Sequence, residues 1–321
     1  VKTMRKISTV LFWLTVFSVC FNITNVSAQK FQPSHNIGFS TGVSSFLGDL
    51  GGSKNIGKGF VYDLDIQATR PAIGVFYKYN LNYFLSFRAE FAYTQLFGND
   101  AFSKAEMFVD GAYPRRYRNL QFTSPVISAG AIVELNLYKY EAGNTDQFKF
   151  APFVGIGGGG FWFDPRTKDP LTGEKIRLQP IGTEGQGLPG YGEKYKLIQP
   201  QVIGVAGLKF NAGPSLAMTF EVVYHQTFTD YVDDVSNNFI DPMVFYNYYD
   251  AATAAQVTRL HNRGPELGLL DPRLQGITGD GEIRGDATDN DQFFRVQATF
   301  VFLLGAKNGG KGNNIYRCPV W

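Results

Sequence analysis

Four groups of residues in this 321-residue chain have types and spacings that do chemistry. Glu221 and His225 lie two strand repeats apart, so an extended segment puts both on one face. With Ser86 or Ser128 brought near, they would supply the histidine, serine and acid of a lipid hydrolase. The chain has only three histidines, however, and no serine in a sharp nucleophile turn, so no catalytic residue is expected.

Acidic groups crowd "TDYVDDVSNNFIDP" from Thr229 and "GDGEIRGDATDND" from Gly279. Calcium favours oxygen ligands from such loops, which makes Asp230, Asp233 and Asp234 the candidate cation ligands. Neither stretch has EF-hand spacing, and solvated surface acid is the plainer reading. The "RGD" at Arg284 to Asp286 is too short to carry adhesion. "GIGGGG", Gly155 to Gly160, satisfies G-x-G-x-x-G, but a phosphate-binding turn needs a helix to follow, and "FWFDP" does not open one. Those glycines instead let a strand bend or neighbours pack closely, and no cofactor is expected. The fourth group is a lone cysteine, Cys318, within "NNIYRCPVW".

Which elements hold these residues depends first on compartment. Lys2, Arg5 and Lys6 precede an apolar run from Ile7 to Phe21, and Val26-Ser27-Ala28 follows, the pattern of a secretory signal peptide over 1–28. Its removal takes three basic residues and Cys20, moving the formal charge from +2 to −1 and leaving Cys318 without an internal partner. That balance gives no basic patch for nucleic acid.

The hydrophobic segments then alternate with period two. In "FLSFRAEFAYTQL", Leu85, Phe87, Ala89, Phe91 and Tyr93 share one face while Ser86, Arg88, Glu90, Ala92 and Thr94 share the other. "SLAMTFEVVYHQTF" and "DQFFRVQATFVFLL" repeat the pattern. Strands are expected near 35–46, 71–80, 84–96, 122–137, 147–163, 195–210, 215–229 and 291–304, each long enough for a tilted membrane strand. Short and long connections alternate between them, as in outer-membrane barrels. The expected fold is therefore all-β: a closed antiparallel transmembrane barrel of about eight strands over 29–304, with short periplasmic turns and long extracellular loops. Such a barrel is filled by side chains. Arg88 and Arg295 would meet Glu90, Glu134 and Glu221 inside it, which also gives His225 a structural place. A Gly- and Lys-containing linker, "GAKNGGKGNN", opens a periplasmic tail over 305–321. "DAATAAQVTRL" from Asp250 reads as a short helix interrupting the longest loop.

Several stretches, in order, carry a resemblance: "FLGDLGG" (46–52), "RNLQFTSP" (118–125), "LQPIGTEGQGL" (178–188), "FTDYVDDVS" (228–236), "RGDATDNDQFF" (284–294) and Cys318-Pro319. Together they resemble the PorG-type outer-membrane barrels of the type IX secretion system. Asp286 departs from the pattern, in which Asn is more usual.

The resemblance implies a non-enzymatic subunit of a protein-transport and gliding-motility machine, anchoring a periplasmic ring of a lipoprotein and its partner beneath the outer membrane. Its contacts would be Tyr316, Cys318, Pro319 and Trp321 in the tail, with Cys318 either disulfide-linked to a ring component or free. On the loop side they would be Thr183, Glu184, Gly185, Gln186, Asp230, Tyr231, Asp233 and Asp234. Outer-membrane lipids are the other expected partner. A lipid-modifying barrel enzyme using His225, and a passive or narrow-channel barrel, are the alternatives.

Overall fold

Alternation forces a choice of inside and outside, and the computed structural model resolves it by closing the sheet. It describes residues 31–50, 66–102, 117–144, 150–268 and 278–304. The expected signal peptide and the tail with Tyr316, Cys318, Pro319 and Trp321 lie outside the described residues.

The strands are β1 (Ser34–Leu47), β2 (Arg70–Asn80), β3 (Leu85–Asn99), β4 (Gln121–Asn136), β5 (Phe150–Phe163), β6 (Arg166–Lys168), β7 (Lys175–Arg177), β8 (Ile198–Asn211), β9 (Leu216–Thr227) and β10 (Gln292–Leu304). All except β6 and β7 form an antiparallel cycle: each pairs with its neighbours in sequence, β5 pairs with β8, and β1 pairs with β10 from His35↔Leu304 to Leu47↔Gln292. This is a closed eight-stranded up-and-down barrel with no free edge. The small hairpin β6–β7 extends the wall above β4 through Thr123↔Arg166.

Among the described residues no helix is long and apolar enough to cross a membrane; the strands carry the lipid-facing surface. Ile37, Phe39, Ile73, Val75, Phe87, Phe91, Val133, Ile156, Phe220 and Val296 are all exposed on the outer face. On β3 this band runs from Leu85 to Tyr93 and gives way to Gln95, close to the 9–11 residues of a tilted span. Tyr93, Trp162 and Tyr224 mark its upper limit, the place of an aromatic girdle. The Tyr224 hydroxyl lies 2.8 and 2.7 Å from the side-chain oxygens of Gln226 and Gln292, where polar side chains take over.

The interior carries the opposite chemistry. Arg88 reaches across the lumen to Glu221 at 2.9 Å and lies 3.3 Å from Glu90 and 3.4 Å from Glu134. Arg295 pairs with Glu90, and Glu134 also accepts from Lys78 and Lys209 at 2.9 and 2.7 Å. The two lysines were not in the expected set; their phase on β2 and β8 turns them inward, and they tip the cluster from net negative to net positive. Ile132, Phe153, Ile203, Val205 and Val223 form an apolar layer in the same lumen. Buried charges persist only when paired, and these are.

The glycines of β5 fit this crowded wall. A Cβ on Gly157 would stand 2.1 Å from the Ala131 carbonyl oxygen, and one on Gly159 2.0 Å from that of Ala129. No helix follows them, as expected.

The strand ends bounding the short connections after Asn80, Asn136 and Asn211 lie at one end of the barrel; those bounding the long loops after Leu47, Asn99, Phe163 and Thr227, numbered 48–69, 100–120, 164–197 and 228–291, lie at the other. The longest loop contains α2 (Met243–Tyr248) and α3 (Ala251–His261), and the third loop contains α1 (Leu178–Ile181). The Asp250 carboxylate caps α3 by accepting from the Ala252 and Thr253 amides at 3.0 and 3.1 Å. Phe46, Leu96, Phe122, Val126, Phe161 and Phe293 at the strand ends join Leu50, Leu120, Leu178, Tyr195, Val232 and Leu260 of the loops in one apolar cluster, which welds a cap onto the barrel mouth.

Candidate functional site

Loop residues far apart in sequence meet under this cap, because the apolar cluster leaves their charged neighbours no route to water. Two arginines make the junction. Arg118 grips Asp100 with Nε and a terminal nitrogen at 2.8 and 3.0 Å, and donates to the Asp49 carbonyl at 2.7 Å. A further Arg118 nitrogen donates to the carbonyl of Arg284. Arg284 in turn donates to Glu184 at 2.6 Å, to the Asp234 carbonyl at 2.7 Å and to the His261 carbonyl at 3.3 Å. Two guanidinium groups thus tie all four loops together.

Carboxylates complete the node by accepting local donors. Glu184 accepts from the amides of Ser236 and Asn237 at 2.9 and 3.3 Å. Asp234 accepts from Thr183 at 2.5 Å and Tyr195 at 2.6 Å, which holds it at a φ of 70° that few non-glycine residues adopt. Asp233 accepts from the Leu50 and Val235 amides, both at 3.0 Å, and Asp291 from the Val232 amide at 2.8 Å. In the third loop Gly182 sits at a φ of 62°, where an added Cβ would be 2.5 Å from the Gln186 carbonyl. Only glycine fits that turn.

Burial sets the protonation of the node. It pushes Asp230 up to about 8, with Asp49, Glu184 and Asp286 adding to the rise. Asp234 is raised to about 7 by burial, against the pull of Arg284. Asp233 and Asp291 are raised well above the ordinary range by burial and by the neighbouring carboxylates. Burial and then Arg284 push His261 down to about 3, so it is neutral, joined to the Thr183 carbonyl at 2.6 Å.

The candidate loop contacts are therefore brought together but mostly turned inward. Thr183, Glu184, Gly185, Gln186, Asp230, Asp233 and Asp234 are buried, and Tyr231 alone of the eight is partly exposed. A cleft of about 730 Å³ opens beside them, with Tyr191, Tyr231, Asn237 and Asp286 on its walls. The cation candidates Asp230, Asp233 and Asp234 form no cage. Asp233 and Asp234 turn to different donors, and among the described residues no group of three His, Cys, Asp or Glu could hold a metal ion.

His225 is fully buried in the barrel, stacked on Phe293 with ring centroids 4.3 Å apart. Its Nδ1 meets Gln201 at 2.8 Å and its Nε2 accepts from Arg295 at 3.2 Å, so Gln201 and Arg295 occupy both nitrogens. Glu221, the proposed acid, is spent on Arg88, Gln297 and Thr299.

Sequence reasoning missed Asp49, Asp100, Arg118, His261 and Asp291 as members of the node and left Arg284 without a role. Their signal was an arginine, aspartate or histidine scattered over three separate loops, which names no partner until the fold is closed.

No curated protein matches the chain. Among solved structures the chain is similar to Ail, the attachment invasion locus protein of Yersinia pestis, at 11% identity over 85% of this chain and 97% of that one, with a TM-score of 0.33. Neisserial surface protein A gives 8% identity over 85% and 99%, with a TM-score of 0.36. The N-terminal β-barrel domain of Pseudomonas aeruginosa OprF gives 6% over 85% and 100%, with a TM-score of 0.33. The family model described as "Domain of unknown function (DUF6089)" matches residues 13–176, just over half of the sequence, and the chain belongs to that family.

Proposed function

We propose that this barrel is a non-enzymatic subunit of the type IX protein secretion machinery of the bacterial outer membrane, anchoring and assembling the periplasmic ring complex. One observation carries the reading. The separate stretches that resemble PorG-type barrels meet in one place: Asp49 and Leu50, Arg118, Thr183 and Glu184, Asp233 and Asp234, and Arg284 and Asp291 are joined by the hydrogen bonds of the loop node. The charge-filled lumen adds support, since such a barrel serves as an anchor better than as a conduit. The bound nitrogens of His225 argue against the lipid-modifying alternative.

The test is deletion of residues 305–321. The shortened protein is expected to remain a heat-modifiable barrel in the membrane while co-purification of the ring lipoprotein and secretion are lost. Intact secretion would leave the passive-barrel reading in its place. Non-reducing electrophoresis of wild type and Cys318→Ser from native cells asks whether Cys318 forms the link; a ring adduct that disappears in the variant is the expected result.

A further inference from the structure

The node, the lumen and the loop cleft leave one surface unexplained, on the outside of the wall where β3, β4 and β5 rise out of the apolar band. A lateral groove of about 580 Å³ runs there between the strands and the β6–β7 hairpin. Among the described residues its charged lining is Arg166, Lys168 and Lys175, with no Asp or Glu. At its foot, Tyr93 and Trp162 flank Ile127 in register, at the upper limit of the lipid-facing band.

The hairpin itself is built against its own charge. Lys168 and Lys175 are directly opposite across β6–β7, and Arg166 is opposite Arg177. Like charges facing each other across a strand pair destabilise it. Asp164 relieves the arginine pair, lying 2.6 Å from Arg166 and 2.9 Å from Arg177. Both lysines are exposed, and no ion pair relieves them among the described residues.

We infer that this groove binds the phosphorylated headgroup of an outer-leaflet lipid. Lys168 and Lys175 would hold the phosphate with Arg166 beside them, and the acyl chains would descend over Tyr93, Ile127 and Trp162. Lysine and arginine are the natural phosphate ligands, and aromatic rings at this level sit among headgroups. An anion between the lysines turns their repulsion into a bridge. The groove opens sideways at the membrane boundary, which fits an amphiphile better than a free anion. The inference rests on the outer-membrane reading above.

The experiment titrates lipid A, with and without its phosphates, onto the detergent-purified full chain and reads bound lipid by native mass spectrometry. The wild type is expected to retain the phosphorylated form preferentially. K168Q/K175Q, at two exposed positions, should weaken that retention by about tenfold or more and leave the dephosphorylated form unchanged. Inorganic phosphate at equal concentration should not compete. Equal retention of the two lipids, undiminished binding by the variant, or full competition by inorganic phosphate would each overturn the lipid site. Heat-modifiable migration of the same samples separates the two readings: a wild type that lacks it overturns the membrane barrel and this site together, and one that keeps it confines the failure to the site.

Discussion

Arg284 is 2% exposed and touches three parts of the cap at once, through Glu184, Asp234 and His261. Replacing it by Met leaves Glu184 buried without its counter-charge, a change that costs about 3–5 kcal/mol. The expected outcome is a cap cut by trypsin or proteinase K on a barrel that still migrates as folded. The carboxylates beneath it make the cap sensitive to pH. An unfolded aspartate titrates near pH ~4, whereas Asp230 and Asp234 in the cap titrate at about 8 and about 7. The fold thus holds protons that the unfolded loop releases, and stability falls as pH rises from ~4 toward 8. His261, lowered to about 3, works the other way only below its unfolded value near ~6.5. Protection factors over 229–291, which divide out the intrinsic base-catalysed rise of amide exchange, should accordingly fall from pH 6 to about 8, and Asp230→Asn should flatten that dependence. Residues of this kind were only half legible. Arg88, Arg295, Glu90, Glu134 and Glu221 could be placed inside from strand parity alone, because parity fixes a face. Arg118 and Asp100 sit in a loop, where no period tells inside from outside.

At the scale of the element, β5 and its neighbour β8 carry two sorts of glycine. Gly159 faces inward against the backbone of β4, while Gly204, on its neighbour β8, has nothing within 4 Å of an added Cβ. Gly159→Val should prevent the heat-modifiable form from appearing in membranes, and Gly204→Ala should assemble as wild type does; electrophoresis of unheated and boiled samples reads both. The eight long strands were legible to within three residues at each end, because an apolar outer face and a polar lumen impose an unbroken alternation. The α3 helix was legible through Asp250 and its run of helix formers. β6, β7 and α1 were not: three or four residues hold too few repeats to reveal a period, and tertiary pairing such as Thr123↔Arg166 specifies them.

For the whole molecule, the lumen decides between conduit and support. Arg88 and Glu221 span it, and the apolar layer of Ile132, Phe153 and Val223 packs beside them. Purified protein in planar bilayers is expected to show no steady ion conductance; a reproducible open level would contradict the filled interior. The pairing of β1 with β10 also governs how the molecule comes into being. Those two strands are separated by most of the chain, so their contact closes the largest loop in the fold and is entropically the last to form. Until then the sheet is a ribbon with two unpaired margins, each able to recruit a stray strand. The β1–β10 seam is thus a kinetic checkpoint: before it shuts, the chain is an aggregation hazard, and afterwards the ladder has no open margin left to recruit a stray strand.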